Sequence, residues 1–170
     1  TDPVKGRVTK GSALSLLGKA QLYQGNFSDA ASTLEQVITS GQYALIDDFT
    51  QLFTVANEGH SETVFDIEYT GLEGGSYDCF VCLEGNVAVG FHGIRQFEGP
   101  IYSTGNSYNL PTEDLYNAFD TSDLRRDATV LNIDAWIQKQ ANPNAISYGI
   151  GGGGHTGFYN NKYLKRAAEL

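Results

Sequence analysis

The chain has 170 residues, enough for a hydrophobic core, and its 41% apolar and 18% charged residues are typical of a globular protein. Its formal net charge of −9 argues against nucleic acid as a partner, because a phosphate backbone is bound by a basic surface. No window of eighteen apolar residues occurs, so no membrane-spanning helix is predicted. Because there is no signal-peptide pattern and no methionine, even at position 1, we expect the chain to be part of a longer gene product.

Residues 6–41 are predicted to form one antiparallel helix pair of the tetratricopeptide kind. The first helix is expected over residues 7–24 and the second over residues 28–40. Apolar residues recur there at three- and four-residue steps, which places them on one face of each helix. The two stripes are Ala13, Leu16, Leu17, Ala20 and Tyr23, and then Phe27, Ala30, Ala31, Leu34, Val37 and Ile38. An ordinary helical hairpin that is not a repeat unit remains the alternative.

Small and polar residues indicate how this pair packs and where its helices end. Gly18 lies inside the first helix, where glycine costs about 1 kcal/mol relative to alanine, so we expect a neighbouring helix to approach closely there. Gly25 and Asn26 tolerate the left-handed conformation that often ends a helix. Ser28 or Asp29 is expected to cap the second helix.

The remaining residues, 42–170, are predicted to form a loop-rich region with short strands and helices. The alternation of Phe65, Ile67 and Tyr69 with acidic residues predicts a half-buried strand over residues 63–69. Thr112 is expected to cap a helix whose first turn carries two acids. The other predicted segments are a turn and short helix at 43–53 opened by Asp47 or Asp48, a loop at 57–61, a charged turn at 123–127, a strand or helix at 129–137, a flexible loop at 149–154 and a final strand at 158–164.

Glycines and aromatic residues are interleaved between residues 71 and 109. Disordered segments lack aromatic residues, so this composition predicts long, well-packed loops. Loops of this length in a compact domain are usually functional. The aromatic residues concerned are Tyr77, Phe80, Phe91, Phe97, Tyr102 and Tyr108.

Five segments, in order along nearly the whole chain, match the motifs of one family. Segment 6–17, GRVTKGSALSLL, resembles GRATKGAALALL, and segment 62–69, ETVFDIEY, resembles ESIFEIQY. Segment 111–119, PTEDLYNAF, resembles PTQDLVDAF, and segment 123–127, DLRRD, resembles DPRR with Leu124 where proline is usual. Segment 156–163, TGFYNNKY, resembles TGYYNKKY. Together these motifs resemble the SusD/RagB family of bacterial surface glycan-binding lipoproteins.

The resemblance implies a mainly α fold with long loops and a few short strands, in which a tetratricopeptide-type helical hairpin packs against a loop-rich region. It covers only the middle of the family's sequence, so residues 1–170 are interpreted as a single SusD-like fragment. Family members bind nutrients on the outward-facing surface of the outer membrane, above a TonB-dependent transporter. The implied partners are therefore an oligosaccharide or polysaccharide and a SusC-like transporter, with membrane association through a lipid anchor absent from this fragment.

Sugar recognition needs aromatic rings for the apolar face of the sugar and polar groups that fix its orientation. The candidate glycan-binding residues are Tyr77, Arg95, Phe97, Tyr102, Asn106, Tyr108 and Trp136, with Asn109 as a further polar companion. For each aromatic residue the alternative is an ordinary place in the core. Arg125 and Arg126 are instead expected to brace loops by pairing with carboxylates.

No catalytic residue, metal site or cofactor is predicted. Cys79 and Cys82 form a lone C-x-x-C without the further ligands that zinc needs, so they are interpreted as structural cysteines, paired or not. The glycine run at 151–154 lacks the Gly-Lys-[Ser/Thr] ending of a phosphate loop. We therefore expect a non-catalytic glycan-binding protein. A protein-binding adaptor of the tetratricopeptide type, a peptide-binding SusD/RagB-type protein and a glycan-active enzyme remain the alternatives.

Overall fold

The structure, a computed structural model, describes residues 7–67, 87–152, 154–164 and 166. Two compact units make up the chain, Thr1–Glu68 and Tyr69–Leu170. The segment that follows the helix pair, up to residue 67, thus belongs to the same unit as the pair. The described residues are mainly helical with long loops and two small sheets, which confirms the predicted fold class.

In the first unit, helix α1 (Lys10–Tyr23) and helix α2 (Phe27–Ile38) form the predicted antiparallel pair. Thr9 caps α1 because its hydroxyl oxygen accepts the Ser12 backbone N–H, and the Ser12 hydroxyl oxygen in turn accepts the Thr9 backbone N–H. Gly25 follows the last turn of α1 with a φ of +79°, the left-handed conformation expected there. The helix ends therefore lie close to where the sequence placed them.

Gly18 is buried in this pair, as predicted. A Cβ atom added to Gly18 would lie 2.6 Å from both Cγ and Cδ2 of Leu34 in α2. The absence of a side chain at residue 18 therefore lets the two helices approach each other. Any side chain at residue 18 would occupy the space that Leu34 fills.

One detail of the predicted pair was wrong. Helix α2 begins at Phe27, so Ser28 and Asp29 lie in its first turn and neither occupies the capping position. Asn26 has that position, because its backbone carbonyl already accepts the N–H of Ala30. The apolar stripe of α1 is exposed, with Leu16 at 70% and Tyr23 at 81%, because α1 contacts α2 through the face that carries Gly18.

The segment after α2 packs on the start of the helix pair. The Tyr43 hydroxyl lies 3.1 Å from Thr9 Oγ1, and Tyr43 fills the space beside Gly11. Asp48 opens a short 3₁₀ helix, Phe49–Phe53, by accepting the Thr50 N–H at 2.9 Å, as its position in the sequence suggested. Its hydrogen bonds with Thr50 lower the pKa of the Asp48 carboxyl. A second 3₁₀ turn follows at Val55–Asn57.

The strand predicted over residues 63–69 is wrong for the residues that the structure describes. Residues 63–67 belong to no strand, and residues 68 and 69 lie outside the described part. Phe65 is 52% and Ile67 72% exposed, so the alternation does not mark a buried face here. A strand requires a hydrogen-bonded neighbour, and none of the described residues pairs with this segment.

The described residues of the second unit form two two-stranded sheets. Strands β1 (Ile94–Arg95) and β2 (Thr104–Gly105) are parallel, with Ile94 opposite Thr104. Strands β3 (Val130–Asn132) and β4 (Phe158–Asn160) are antiparallel, with Leu131 opposite Tyr159. Its core cluster comprises Ile94, Phe97, Tyr102, Leu131, Ile133, Ile137, Tyr159 and Leu164.

Short helices flank these strands. They are α3 (Val87–His92), α4 (Glu113–Ala118), α5 (Arg125–Thr129) and α6 (Ile133–Gln138), with 3₁₀ turns at Pro143–Ala145 and Asn161–Tyr163. Thr112 caps α4 by accepting the Leu115 N–H, as predicted. Residues 129–137 contain β3 and most of α6, and the final predicted strand is confirmed only over β4, because a 3₁₀ turn follows it.

The two arginines of segment 123–127 pair with neighbouring acids, as expected. Arg125 binds Asp123 at 2.7 Å, and Arg126 binds Asp127 at 2.9 Å. Hydrogen bonds from Arg125 lower the pKa of Asp123 to about 2. Within the described ranges, no helix is long and apolar enough to cross a membrane.

Candidate functional site

The loop that connects β2 to α4 is held to the end of α3 by backbone hydrogen bonds. The N–H groups of Asn106, Ser107 and Tyr108 donate to the carbonyl groups of Gly90, Gly93 and Phe91, at 3.0, 2.8 and 2.8 Å. The Ser107 hydroxyl also accepts the backbone N–H of Arg95 at 2.9 Å. The backbone on either side of Tyr108 is therefore fixed by several independent bonds.

Two glycines allow this arrangement. A Cβ atom added to Gly93 would lie 2.9 Å from Cα of Gly105, and one added to Gly105 would lie 2.5 Å from the carbonyl oxygen of Gly90. Such distances are too short for a real Cβ, and the obstacle is backbone in each case. The close approach of these two segments therefore requires glycine at both positions.

The same loop contains non-glycine residues in the left-handed region. Ser107 has a φ of 56° and Asn109 a φ of 54°, one on each side of Tyr108. Asparagine tolerates this conformation better than most residues, whereas serine adopts it at some energetic cost. Backbone strain of this kind is often found where a loop presents a functional side chain.

The loop contributes Tyr108 to a partly exposed group of rings that we call the aromatic platform: Phe91, His92, Tyr108 and Tyr163. Phe91 and Tyr108 are stacked with ring centroids 5.8 Å apart, and the rings of His92 and Tyr163 are 5.6 Å apart. His92 Nε2 lies 3.3 Å from the side-chain amide nitrogen of Asn109, which links the two pairs. Tyr108 is 53% and Tyr163 50% exposed, so ring surface remains open to solvent.

Arg95 and Asn106, two of the residues predicted to bind glycan, lie beside this loop. The Arg95 guanidinium donates to the backbone carbonyl of Asn106 at 2.8 Å and to that of Gly151. Arg95 therefore ties the β2–α4 loop to the glycine run near residue 151. The Asn106 side chain is exposed and forms no hydrogen bond with the described residues, so its amide is open to a ligand.

Phe97, Tyr102 and Trp136 form a separate cluster. The ring centroids of Tyr102 and Trp136 are 5.1 Å apart, and Phe97 lies 6.1 and 6.2 Å from the two. Phe97 is only 7% and Tyr102 only 8% exposed, so little of either ring surface is open to solvent, whereas Trp136 is partly exposed. Burial raises the pKa of Tyr102.

A strained turn introduces Tyr102 into this cluster. Ile101 has a φ of 76°, and the Tyr102 N–H bonds to the Pro100 carbonyl at 2.9 Å, which makes residues 100–102 a γ-turn. A β-branched residue in this region is a genuine outlier.

We expect Ile101→Gly to raise the free energy of unfolding by about 1 kcal/mol, because glycine adopts a positive φ without a steric penalty. Thermal unfolding of the variant measures this effect. Ile150→Gly is the matched control, since Ile150 is also exposed but has no positive φ, and it should be neutral or destabilising. A lower unfolding temperature for Ile101→Gly than for Ile150→Gly would contradict the strain assigned to the turn.

The remaining predicted residues have different outcomes. Tyr77, Cys79 and Cys82 lie outside the described residues. His92 and Tyr163 belong to the aromatic platform, although sequence reasoning did not include them among the binding candidates; the signal for Tyr163 was its place at the end of the TGFYNNKY motif. The described residues include no group of three or more His, Cys, Asp or Glu side chains arranged to hold a metal ion.

No protein-family model and no curated protein matches the chain, but solved structures do. It is similar to surface glycan-binding protein A from Bacteroides thetaiotaomicron in complex with laminarihexaose, with a TM-score of 0.82 and 25% identity over 96% of this chain. Another structure of the protein with that name from the same organism gives a TM-score of 0.78 and 26% identity. The chain is SusD-like.

The similarity extends over almost the whole chain but over only part of the relatives. This SusD-like chain spans 36% of the length of each of the two Bacteroides thetaiotaomicron structures. A surface glycan-binding protein A from Bacteroides fluxus shares the fold, with a TM-score of 0.75, 24% identity and 95% of this chain covered. The five motifs found in the sequence therefore belong to a SusD-like fold, as the resemblance implied.

Proposed function

We propose that this SusD-like chain belongs to a protein that binds oligosaccharide or polysaccharide at the bacterial cell surface without cleaving it. The observation that carries the proposal is the match at a TM-score of 0.82 to a surface glycan-binding protein that holds laminarihexaose. Because it covers 96% of the chain, the match is not confined to the helix pair.

Within the chain, the proposed contact surface is the aromatic platform together with Asn106. Exposed rings can stack on the apolar face of a sugar, and the exposed amide of Asn106 can both donate and accept hydrogen bonds with its hydroxyl groups. The fixed backbone around Tyr108 favours binding, because little conformational entropy is lost when a ring that is already positioned meets its ligand. Arg95 supports this surface through backbone carbonyls and is proposed as a positioning residue.

The wider role follows the same proposal. The parent protein would be anchored by lipid in the outer membrane with its binding surface facing outward, and it would pass the captured glycan to a TonB-dependent transporter of the SusC type. No step of this role requires chemistry on the sugar. The net charge of −9 favours neutral rather than strongly acidic glycans, because like charges repel.

The test is isothermal titration of the chain with laminarihexaose, preceded by electrophoresis through gels that contain a panel of polysaccharides. We expect Tyr108→Ala to weaken binding by about fivefold to tenfold, since a stacked ring contributes about 1 to 1.5 kcal/mol to an interface. Tyr23→Ala is the matched control, because Tyr23 is a tyrosine on α1 that is even more exposed than Tyr108, and its loss should leave the affinity unchanged.

Three results would overturn the proposal. Release of shorter products from laminarihexaose would indicate an enzyme. Equal losses for Tyr108→Ala and Tyr23→Ala would remove the platform from the site. The third result is that neither the chain nor its full-length parent binds any polysaccharide of the panel, while peptides or proteins do bind. The ligand would then be a peptide or a protein rather than a glycan.

A further inference from the structure

A cavity of about 150 Å³ lies beside Trp136 in the second unit, and none of its lining residues belongs to the aromatic platform. Its walls include the rings of Trp136, Tyr102 and Tyr116. An apolar cavity of about this volume holds one benzene ring, whereas pockets for larger ligands usually exceed about 300 Å³. The cavity is therefore sized for one six-membered ring rather than for a chain of several.

Polar groups of opposite character surround this aromatic space. One carboxylate oxygen of Asp127 accepts from Arg126, and the other forms no hydrogen bond within the described residues. The Lys139 ammonium likewise has no hydrogen-bond or ion-pair partner among them, and it lies at the end of α6. Asn132 uses its side-chain oxygen to cap α6, which leaves its amide N–H groups as donors.

The combination matches one kind of ligand. A ring of hydroxyl groups needs both donors and acceptors at its edge, and an apolar surface against its face. The cavity has donors at Lys139 and Asn132, an acceptor at Asp127, and aromatic walls. Asp127 and Lys139 are both exposed, so their charged groups are available to the hydroxyl groups of a ligand at the edge of the cavity.

We propose that the cavity beside Trp136 is a second carbohydrate subsite, separate from the aromatic platform, that takes a single pyranose unit of the bound glycan. Trp136 packs against the face of the sugar ring, while Asp127 and Lys139 bind its hydroxyl groups. This inference rests on the proposed function. It adds that one sugar unit of the glycan is bound inside a cavity while the other sugar units contact the aromatic platform.

Trp136 is the only tryptophan in the sequence, so its fluorescence reports on this cavity alone. Titration of the chain with laminarihexaose should change the Trp136 emission. Ala135→Leu is the main variant, because Ala135 is exposed on α6 and lines the cavity, and leucine would fill part of that space at little cost in helix propensity. We expect it to abolish the emission change and to raise the Kd about tenfold.

Gln138→Leu is the matched control, since Gln138 is exposed on the same helix but does not line the cavity. It should retain both the emission change and the affinity. Lys139→Ala provides a second variant that removes a polar contact and leaves the packing of Trp136 intact. It should raise the Kd for laminarihexaose severalfold, and an unchanged Kd would argue against the subsite.

The two proposals fail in different ways. If Tyr108→Ala loses affinity while Ala135→Leu binds laminarihexaose as the parent does, the subsite is overturned and the proposed function stands. If Ala135→Leu loses the emission change and Tyr108→Ala keeps it at saturating sugar, the subsite is supported. If an aromatic peptide changes the Trp136 emission and no carbohydrate of the panel does, both proposals are overturned.

Discussion

Gly105→Ala should lower the free energy of unfolding by about 3 kcal/mol, the largest effect we expect from a single methyl group in this chain. The added Cβ would meet Gly93 and the carbonyl oxygen of Gly90, and backbone atoms cannot move aside as a flexible side chain can. The pairing of β1 with β2 would separate. Urea unfolding monitored by circular dichroism measures the loss, and Trp136 fluorescence shows whether the second unit is affected.

The effect should extend to ligand binding, because the segment that Gly105 positions continues directly into Asn106 and Tyr108. We therefore expect laminarihexaose binding to fall together with stability. Gly151→Ala is the matched control: no atom lies within 4 Å of the position its Cβ would take, and its φ is not positive. That variant should change stability by less than about 0.5 kcal/mol. Equal stabilities of the two variants would show that the close approach at Gly105 is not required.

Gly18→Leu should lower the free energy of unfolding of the first unit by about 2 kcal/mol. The new side chain would overlap Leu34, which costs about 3 kcal/mol, and the higher helix propensity of leucine offsets roughly 1 kcal/mol of that cost. The helical signal at a fixed urea concentration measures the change. Ala20→Leu is the control, because Ala20 is exposed on the same helix and should tolerate leucine.

A second substitution tests the assigned contact directly. Leu34→Ala removes the side chain that Gly18 accommodates, so Gly18→Leu combined with Leu34→Ala should recover part of the stability lost by either change alone. Neighbouring residues that share a contact commonly show such coupling. Additive losses in the double variant would mean that residue 18 does not pack against residue 34.

Local signals predicted much of this fold. Gly18 was predicted to allow a close helix approach, Gly25 to end a helix in the left-handed conformation and Thr112 to cap a helix. The structure has each residue in that role. The alternation around Phe65 and Ile67 was misleading, because a period of two indicates which residues share a face but not whether a partner strand exists. Pairing depends on residues far away in the chain, which a local pattern does not contain.

The candidate site could likewise be predicted only in part, because a local sequence pattern does not contain tertiary contacts. Tyr108 and Asn106 were predicted from their place in a glycine-rich aromatic segment, but Tyr163 is brought beside His92 only by tertiary contacts. Composition also could not separate exposed from buried rings, and Phe97 and Tyr102 proved to be core residues. An aromatic side chain suits both environments, so its burial is decided by the fold rather than by its chemistry.

The sheet that supports the cavity has a consequence for the order of folding. Val130 pairs with Asn160, thirty positions later, whereas α1 and α2 are joined by only three residues, Gln24, Gly25 and Asn26. Closing a long loop costs more chain entropy before any contact is gained. We therefore expect the helix pair to form early during refolding and the β3–β4 sheet late. Carbohydrate binding near Trp136 should consequently recover more slowly than helical structure, because its cavity is complete only when the last strands have paired.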